Sequence, residues 1–189
     1  MPCLISVVIP CFNSAAFLQD TVNSVLQQTH QAIEIILVDD GSSDNTAELI
    51  KALQVRHKQI RTTYQANQGS AAARNLGISM AQGDYILPLD ADDLIDATML
   101  ADCAAVLDAN ADIALVYSDR QDFGDNQQYY TAGQFELARL KYFNQLSYCA
   151  LYRRTLWQAV GGYKTNVSGF DDWDFWLAAA IYGAKAYYL

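Results

Sequence analysis

The sequence predicts an α/β fold, a mostly parallel sheet flanked by helices on both faces. Two observations carry that expectation. Short, nearly all-apolar, β-branched runs recur from Ile5 to Tyr117, with segments of helical period between them. The runs also lack the polar alternation of a half-exposed sheet, as expected of strands covered on both sides. Composition agrees with one packed domain, since 52% of the 189 residues are hydrophobic and 17% are charged.

Ile5-Ser6-Val7-Val8-Ile9-Pro10 reads as the first strand, closed by its proline. Asn13-Ser14 is expected to cap a helix over 15–29, where Phe17, Leu18, Val22, Val25 and Leu26 recur at helical spacing. Residues 33–38 form the second strand. They run into Asp39-Asp40-Gly41-Ser42-Ser43-Asp44, a polar loop whose Ser42 or Ser43 caps a helix over 46–55. A third strand over 60–64 precedes the turn Asn67-Gln68-Gly69 and a helix that runs to Ala81, stopped by Gly83. Tyr85-Ile86-Leu87-Pro88-Leu89 is the fourth strand, and a helix over 97–109 and a strand over 113–117 complete the alternation. Beyond Tyr117 the period weakens. Residues 121–134 read as loop or short edge structure, and 135–142, 154–160 and 171–181 as helices.

Charge excludes several function classes. Twelve basic against 21 acidic residues give a net charge of −9, which argues against nucleic acid and against a polybasic membrane anchor. Cys3, Cys11, Cys103 and Cys149 are scattered without a CxxC pair, as reduced, buried cysteines of an intracellular protein would be. The start has no leader-like pattern, and no run reaches the roughly 18 apolar residues of a spanning helix. The expected location is cytoplasmic, with peripheral contact at the inner membrane face left open. The apolar stretch 175–189 suggests that the natural protein continues. His30 and His57 stand alone and read as surface residues; no GxGxxG or GxxxxGK[ST] occurs.

In a right-handed parallel sheet, loops after the strands' C-terminal ends share one edge, so Phe12, Asp39-Asp40 and Asp90–Asp93 should converge on one crevice. Asp90-Ala91-Asp92-Asp93 crowds three carboxylates behind a strand, an arrangement that a hard cation such as Mg²⁺ or Mn²⁺ would compensate. The plainer account is a helix N-terminus; it suits Asp93, ahead of a helix starting near Asp96, better than it suits Asp92. Asp39 and Asp40 form part of a turn, or accept hydrogen bonds from a base or ribose. Arg74, among small residues, is a solvated helix residue, or it reaches over the crevice to a diphosphate or to the Asp cluster. Asp171-Asp172-Trp173-Asp174 caps a helix, or supplies a general base whose pKa its neighbours and burial raise. Gly161-Gly162 and Gly169 would give the preceding loop freedom to shape an acceptor site. Trp157, Trp173 and Trp176 can stack on sugar rings, but core is the better reading for Trp176.

The order of motifs is itself recognisable. Val8-Ile9-Pro10-Cys11-Phe12-Asn13, Val38-Asp39-Asp40-Gly41-Ser42-Ser43-Asp44, Asn67-Gln68-Gly69 with Ala73-Arg74-Asn75, Gly83-Asp84-Tyr85-Ile86 leading to Leu89-Asp90-Ala91-Asp92-Asp93, Gly161-Gly162-Tyr163 and Asp171-Asp172-Trp173-Asp174 follow one another. From about Leu4 to its end the chain resembles the family 2 glycosyltransferases of GT-A (Rossmann-like) fold. The resemblance implies inverting transfer from a nucleotide sugar, usually a UDP sugar, with Mn²⁺ or Mg²⁺. It implies one catalytic domain over 1–189, with a nucleotide-binding half at 1–118 and an acceptor-side half at 119–189. Pro10, Phe12 and Asn13 would form the base pocket, with Phe12 stacking on the ring. Asp40, with Asp39 beside it, would bind the base. Arg74 would lie near the nucleotide, Asp90 and Ala91 near the ribose or sugar, and Asp92 would ligate the metal. Asp172 would be the base that deprotonates a glycan, lipid-linked or small-molecule acceptor. The family often carries Glu-Asp where this chain has Asp171-Asp172, which leaves Asp171 and Asp174 as rival bases. The Q-x-x-R-W pattern of processive synthases is absent, which favours single addition.

Two other classes compete. A sugar-nucleotide-forming nucleotidyltransferase would want a glycine-rich, basic loop after the first strand, where this chain has Cys11-Phe12-Asn13-Ser14. A non-catalytic binding module would have no need to keep both Asp92 and Asp172.

Overall fold

The computed structural model describes residues 3–144, 146–167 and 169–189; Met1 and Pro2, where the leaderless start was read, lie outside the described residues. Strands β1 (Ile5–Cys11), β2 (Ile33–Asp39), β3 (Ile60–Tyr64), β4 (Tyr85–Pro88) and β5 (Ile113–Tyr117) alternate with helices α1 (Leu18–Leu26), α2 (Thr46–Arg56), α3 (Ser70–Met80) and α4 (Met99–Ala109). There follow a small hairpin, β6 (Arg120–Gln121) and β7 (Tyr129–Tyr130), then α5 (Leu137–Leu140), β8 (Leu151–Arg153), α6 (Arg154–Val160), α7 (Asp171–Tyr182) and β9 (Lys185–Tyr188). The main sheet has the order β3-β2-β1-β4-β8-β5-β9. Its neighbours pair in parallel except at β8, which runs antiparallel to both β4 and β5.

The chain winds outward from β1 to β3 and then returns to β4 on the other side of β1, so the winding reverses between β1 and β4. At such a reversal the loops part and leave a crevice past the strands' C-terminal ends. Alternate residues of each strand supply the two faces. Ile5, Val7, Ile9, Ile35, Leu37 and Leu87 pack with Leu18, Val22, Leu53 and Leu100 of α1, α2 and α4. On the other face Val8, Ile36, Val38, Ile86 and Leu115 pack with Ala73, Leu140, Leu156 and Trp176 of α3, α5, α6 and α7. The expected two-sided sheet is therefore present, and Trp176 is core at 0% exposure.

Gly77 lets α3 lie directly on β1 and β2. A Cβ there would stand 2.4 Å from Val8 Cγ1 and 3.0 Å from Val38 Cγ2. Gly77→Ala is expected to cost about 1–3 kcal/mol of stability by overpacking, read as a lower urea midpoint at unchanged slope. An unchanged midpoint would mean that α3 can lift off the sheet freely.

Several local expectations are corrected. Helix α1 begins at Leu18, not at 15, and Phe17 rather than Ser14 occupies its N-cap without a side-chain bond. Asn13 is engaged elsewhere, since its Oδ1 accepts from Ser43 N at 2.8 Å. At α2, Asp44 Oδ1 accepts Thr46 N at 3.0 Å, while Ser42 Oγ accepts Asn13 N at 3.0 Å. Asp93 is not a helix cap, because α4 starts at Met99 with Thr98 before it. β8 and β9 were not foreseen. The three residues of β8 are too short to show a period, and β9 follows α7 with only Gly183-Ala184 between. His30 and His57 are half-buried rather than surface residues, with His30 Nε2 2.9 Å from Cys3 O.

Candidate active site

The β1–α1 and β2–α2 loops are tied together at the crevice. Asn13 sits at φ 51°, a left-handed conformation that asparagine tolerates, and its Oδ1 also accepts from Asp44 N at 3.3 Å. This bracing leaves Phe12 projecting, 52% exposed, beyond the end of β1. Asp39 Oδ1 accepts Ser42 N at 2.9 Å and shapes the turn. Asp40 is buried, and its carboxylate accepts from Gln65 Nε2 at 2.7 Å, Gln68 N at 2.9 Å and Gly69 N at 2.8 Å. It thereby holds the β3–α3 loop against its own. Gly41 completes the junction at φ 77°, where a Cβ would meet Asn67 N at 2.8 Å.

A cavity of about 480 Å³ opens over these loops. Pro10, Phe12, Asn13 and Asp40 line it on one side, and Asp90, Ala91 and Asp92 on the other. Seven of the predicted nucleotide and metal residues thus share one space. Asp39 and Arg74 lie outside its lining, as do Asp171 and Asp172.

Arg74 is buried, with both terminal nitrogens committed. Nη2 donates to Asp90 Oδ1 at 2.6 Å and Nη1 to Asp171 Oδ2 at 2.5 Å, while Nε has no partner among the described residues. The rings of Tyr148 and Tyr163 lie 5.3 and 5.8 Å from its guanidinium carbon. Burial works against the charge, but Asp90, Tyr163 and Asp171 outweigh it and hold the group above its ordinary pKa. The solvated-helix reading of Arg74 is therefore wrong. Arg74 joins the end of β4 to the first turn of α7, a coupling of residues 16 and 97 positions away that spacing could not reveal.

The acidic cluster is electrostatically crowded. Burial raises the Asp90 carboxyl, which Arg74 offsets only in part, and Asp92 and Asp171 add repulsion. Burial first, then Asp90 and Asp92, push Asp93 up to about 6. Asp92 is the exposed member. Among the described residues no group of three or more side chains forms a ready metal cage. One exposed carboxylate in a negative field is nonetheless the donor set that Mg²⁺ or Mn²⁺ uses when phosphate oxygens complete its shell.

The three carboxylates of α7 have separate fates. Asp171 is buried on Arg74, and Asp174 Oδ1 accepts Lys164 Nζ at 3.2 Å. Asp172 is half-buried, and its Oδ2 accepts Asn144 Nδ2 at 2.8 Å. Burial pushes its carboxyl upward, while the Trp173 amide and Asn144 pull it back. Phe170 holds the N-cap of α7 with no side-chain bond, so none of the three acids serves as that cap.

Two further residues matter here, Asn75, a motif residue to which the sequence assigns no role, and Asn144. Asn75 Oδ1 accepts Tyr163 N at 2.9 Å and Trp157 Nε1 at 3.1 Å, and a Cβ on Gly162 would stand 2.7 Å from it. Gly162 therefore fits a pinned turn and does not loosen a loop. Trp157 and Trp173 also have structural partners, since Trp173 Nε1 donates to Leu140 O at 2.5 Å. Asn144 had no signal at all, lying in a stretch without motif or period.

Comparisons with known proteins give the family and the fold. Residues 6–166 match the family model described as glycosyl transferase family 2. Glycosyltransferase GlyG of Streptococcus pneumoniae is 40% identical over 134 residues, which are 69% of this chain and 44% of that protein. Chondroitin synthase of Pasteurella multocida is 27% identical over 184 residues, 95% of this chain and 19% of that protein. Among solved structures, Staphylococcus aureus TarS 1–349 with UDP superposes with a TM-score of 0.84 at 21% identity, over 98% of this chain and 57% of that one. Mannosyltransferase PcManGT from Pyrobaculum calidifontis, in complex with GDP-Man and Mn²⁺, gives 0.79 at 21% identity, over 100% and 55%. At that identity the likeness shows the fold. The chain spans less than half the length of the curated relatives it matches.

Proposed function

The chain belongs to glycosyl transferase family 2, and from that membership we propose that it moves a sugar from a nucleoside-diphosphate sugar, with UDP as the nucleotide, to an acceptor hydroxyl with inversion at the anomeric carbon. The observation that carries this reading is the convergence of the β1, β2 and β4 ends on one cavity, with Asp92 at its lining and Asp172 on α7 held by the Asn144 amide and by no ion pair among the described residues. Solved structures of TarS with UDP and with UDP-GlcNAc favour UDP, and the PcManGT complex favours Mn²⁺.

On this reading Phe12 stacks on the base against Pro10, with Asn13 fixing the loop. Asp39 has one carboxylate oxygen beyond its turn bond, and Asp40 meets the base with whatever capacity its three donors leave. Asp90 and Ala91 face the ribose and sugar, with Arg74 holding Asp90 in place. Asp92 would hold a divalent cation together with the diphosphate; when bound, such an ion neutralises charge on the leaving group. Asp172 takes the acceptor hydroxyl's proton as the oxygen attacks from the face opposite the diphosphate. Residues 1–118 form the nucleotide-binding half and 119–189 the acceptor-side half of one catalytic domain. No helix among the described residues is long and apolar enough to cross a membrane.

Titration calorimetry with UDP and Mn²⁺ tests the donor site. Phe12→Ala should weaken affinity by about 1–3 kcal/mol if the ring stacks on the base. Equal affinity in both proteins would remove Phe12 from the pocket and, with it, the stated pose.

A further inference from the structure

Beyond the donor cavity the crevice continues. Phe17 and Asp92 line both the donor cavity and a second one of about 820 Å³. Ser118, Arg120 and Ser147 line both that space and a third of about 320 Å³. The third pocket also contains Asn144, the residue that donates to Asp172. The three cavities thus adjoin one another from the nucleotide cavity, past Asp92, to Asn144 beside Asp172.

The third pocket differs in charge from the other two, whose linings carry several aspartates. In a chain of net charge −9, its described lining holds Arg120 and Arg139 and no Asp or Glu. The Arg120 guanidinium lies over Tyr130, 4.4 Å from the ring centre, with Nε 3.3 Å from Asp122. Its terminal nitrogens have no partner among the described residues, and Arg139, exposed on α5, has no ion pair among them. A guanidinium presents a planar fork that matches carboxylate or phosphate oxygens. We propose that this pocket is an acceptor subsite for a saccharide bearing an anionic group, read by Arg139 and Arg120 while a hydroxyl of the same acceptor meets Asp172. The inference rests on the transferase reading of the site above. The shared chemistry is an anion on the acceptor, whether a uronate carboxylate or a sugar phosphate.

The test titrates methyl β-glucuronide, glucose 6-phosphate and methyl β-glucoside into the protein saturated with UDP and Mg²⁺, followed by NMR. At least one anionic probe should bind about fivefold or more tightly than the neutral glucoside, a modest factor because both arginines are partly exposed. Which anionic probe binds better separates carboxylate from phosphate. Arg139→Gln should shrink the preference, and Arg139→Gln with Arg120→Gln should abolish it, both leaving UDP affinity unchanged. Equal binding of all probes, no binding of any, or a preference that survives the double variant would each overturn the proposal. Loss of UDP affinity in these variants would also overturn it, by moving the arginines to the donor side. Failure of the unaltered protein to bind UDP at all would instead overturn the transferase reading beneath it.

Discussion

Replacing Asp172 by asparagine leaves nucleotide binding intact and lowers kcat for transfer by about 10²–10⁴-fold, the contribution of a positioned general base. The amide is the same size and keeps an oxygen for the Asn144 Nδ2 that donates to Asp172 at 2.8 Å, so the local geometry survives. What disappears is a group that accepts the acceptor's proton. Neighbouring acids do not replace it, since Arg74 holds Asp171 at 2.5 Å and Lys164 reaches Asp174 at 3.2 Å. The pH profile supplies a second readout. A base must be ionised, and burial raises the Asp172 carboxyl, so the acid limb of kcat falls above the ordinary aspartate range. Asn144 favours the charged form, hence Asn144→Ala moves that limb to higher pH. A fully active Asp172→Asn protein would transfer the role to Asp171 or Asp174.

Arg74→Met is expected to cost about 3–5 kcal/mol of stability, because it strands a carboxylate that the arginine now neutralises. Asp171 is 5% exposed and faces the guanidinium directly, whereas Asp90 is partly open to the crevice. Most of the cost therefore sits at Asp171. Combining Arg74→Met with Asp171→Leu should recover much of it, and denaturant unfolding of the four proteins of that double-mutant cycle measures the coupling. Additive losses would show that Arg74 acts through packing on Tyr148 and Tyr163 rather than through charge.

The contrast between these two sites explains what was legible in the sequence. Strands β1, β2, β4 and β5 announce themselves because each is a mostly apolar run between turn residues, while the edge strand β3 is the more polar Ile60-Arg61-Thr62-Thr63-Tyr64; the strand order alone places Phe12, Asp40 and Asp92 at one edge. Local periodicity says nothing about β8, whose Leu151-Tyr152-Arg153 becomes a strand only because β4 and β5 offer it a slot. Helix caps misled for a related reason. Asn13 and Ser42 have cap chemistry, but the loops they belong to meet each other, and cross-loop bonds engage the side-chain oxygens that would have capped; the buried Ser14 Oγ has no partner among the described residues. Arg74 was visible as an oddity and its partners were not, because only the tertiary fold brings Asp171, 97 positions along the chain, to it. Asn144 lies where sequence carries no pattern, and the helical period around Arg139 says nothing of what it faces, so only the bond of Asn144 to Asp172 and the pocket it shares with Arg139 give them meaning.

On the proposed mechanism the β4 edge binds a nucleotide sugar with a cation held at Asp92. A thermal-shift panel of UDP, UDP sugars and GDP-mannose, each with and without Mn²⁺, tests it most directly. At a donor concentration about 100 times Kd, binding stabilises the fold by about 2.7 kcal/mol, which for a chain of this size raises Tm by roughly 5–10 °C. A UDP sugar with Mn²⁺ should give that shift, with little in the absence of the ion and none in Asp92→Ala. The same shift in the absence of metal, or in the Asp92→Ala protein, would contradict it.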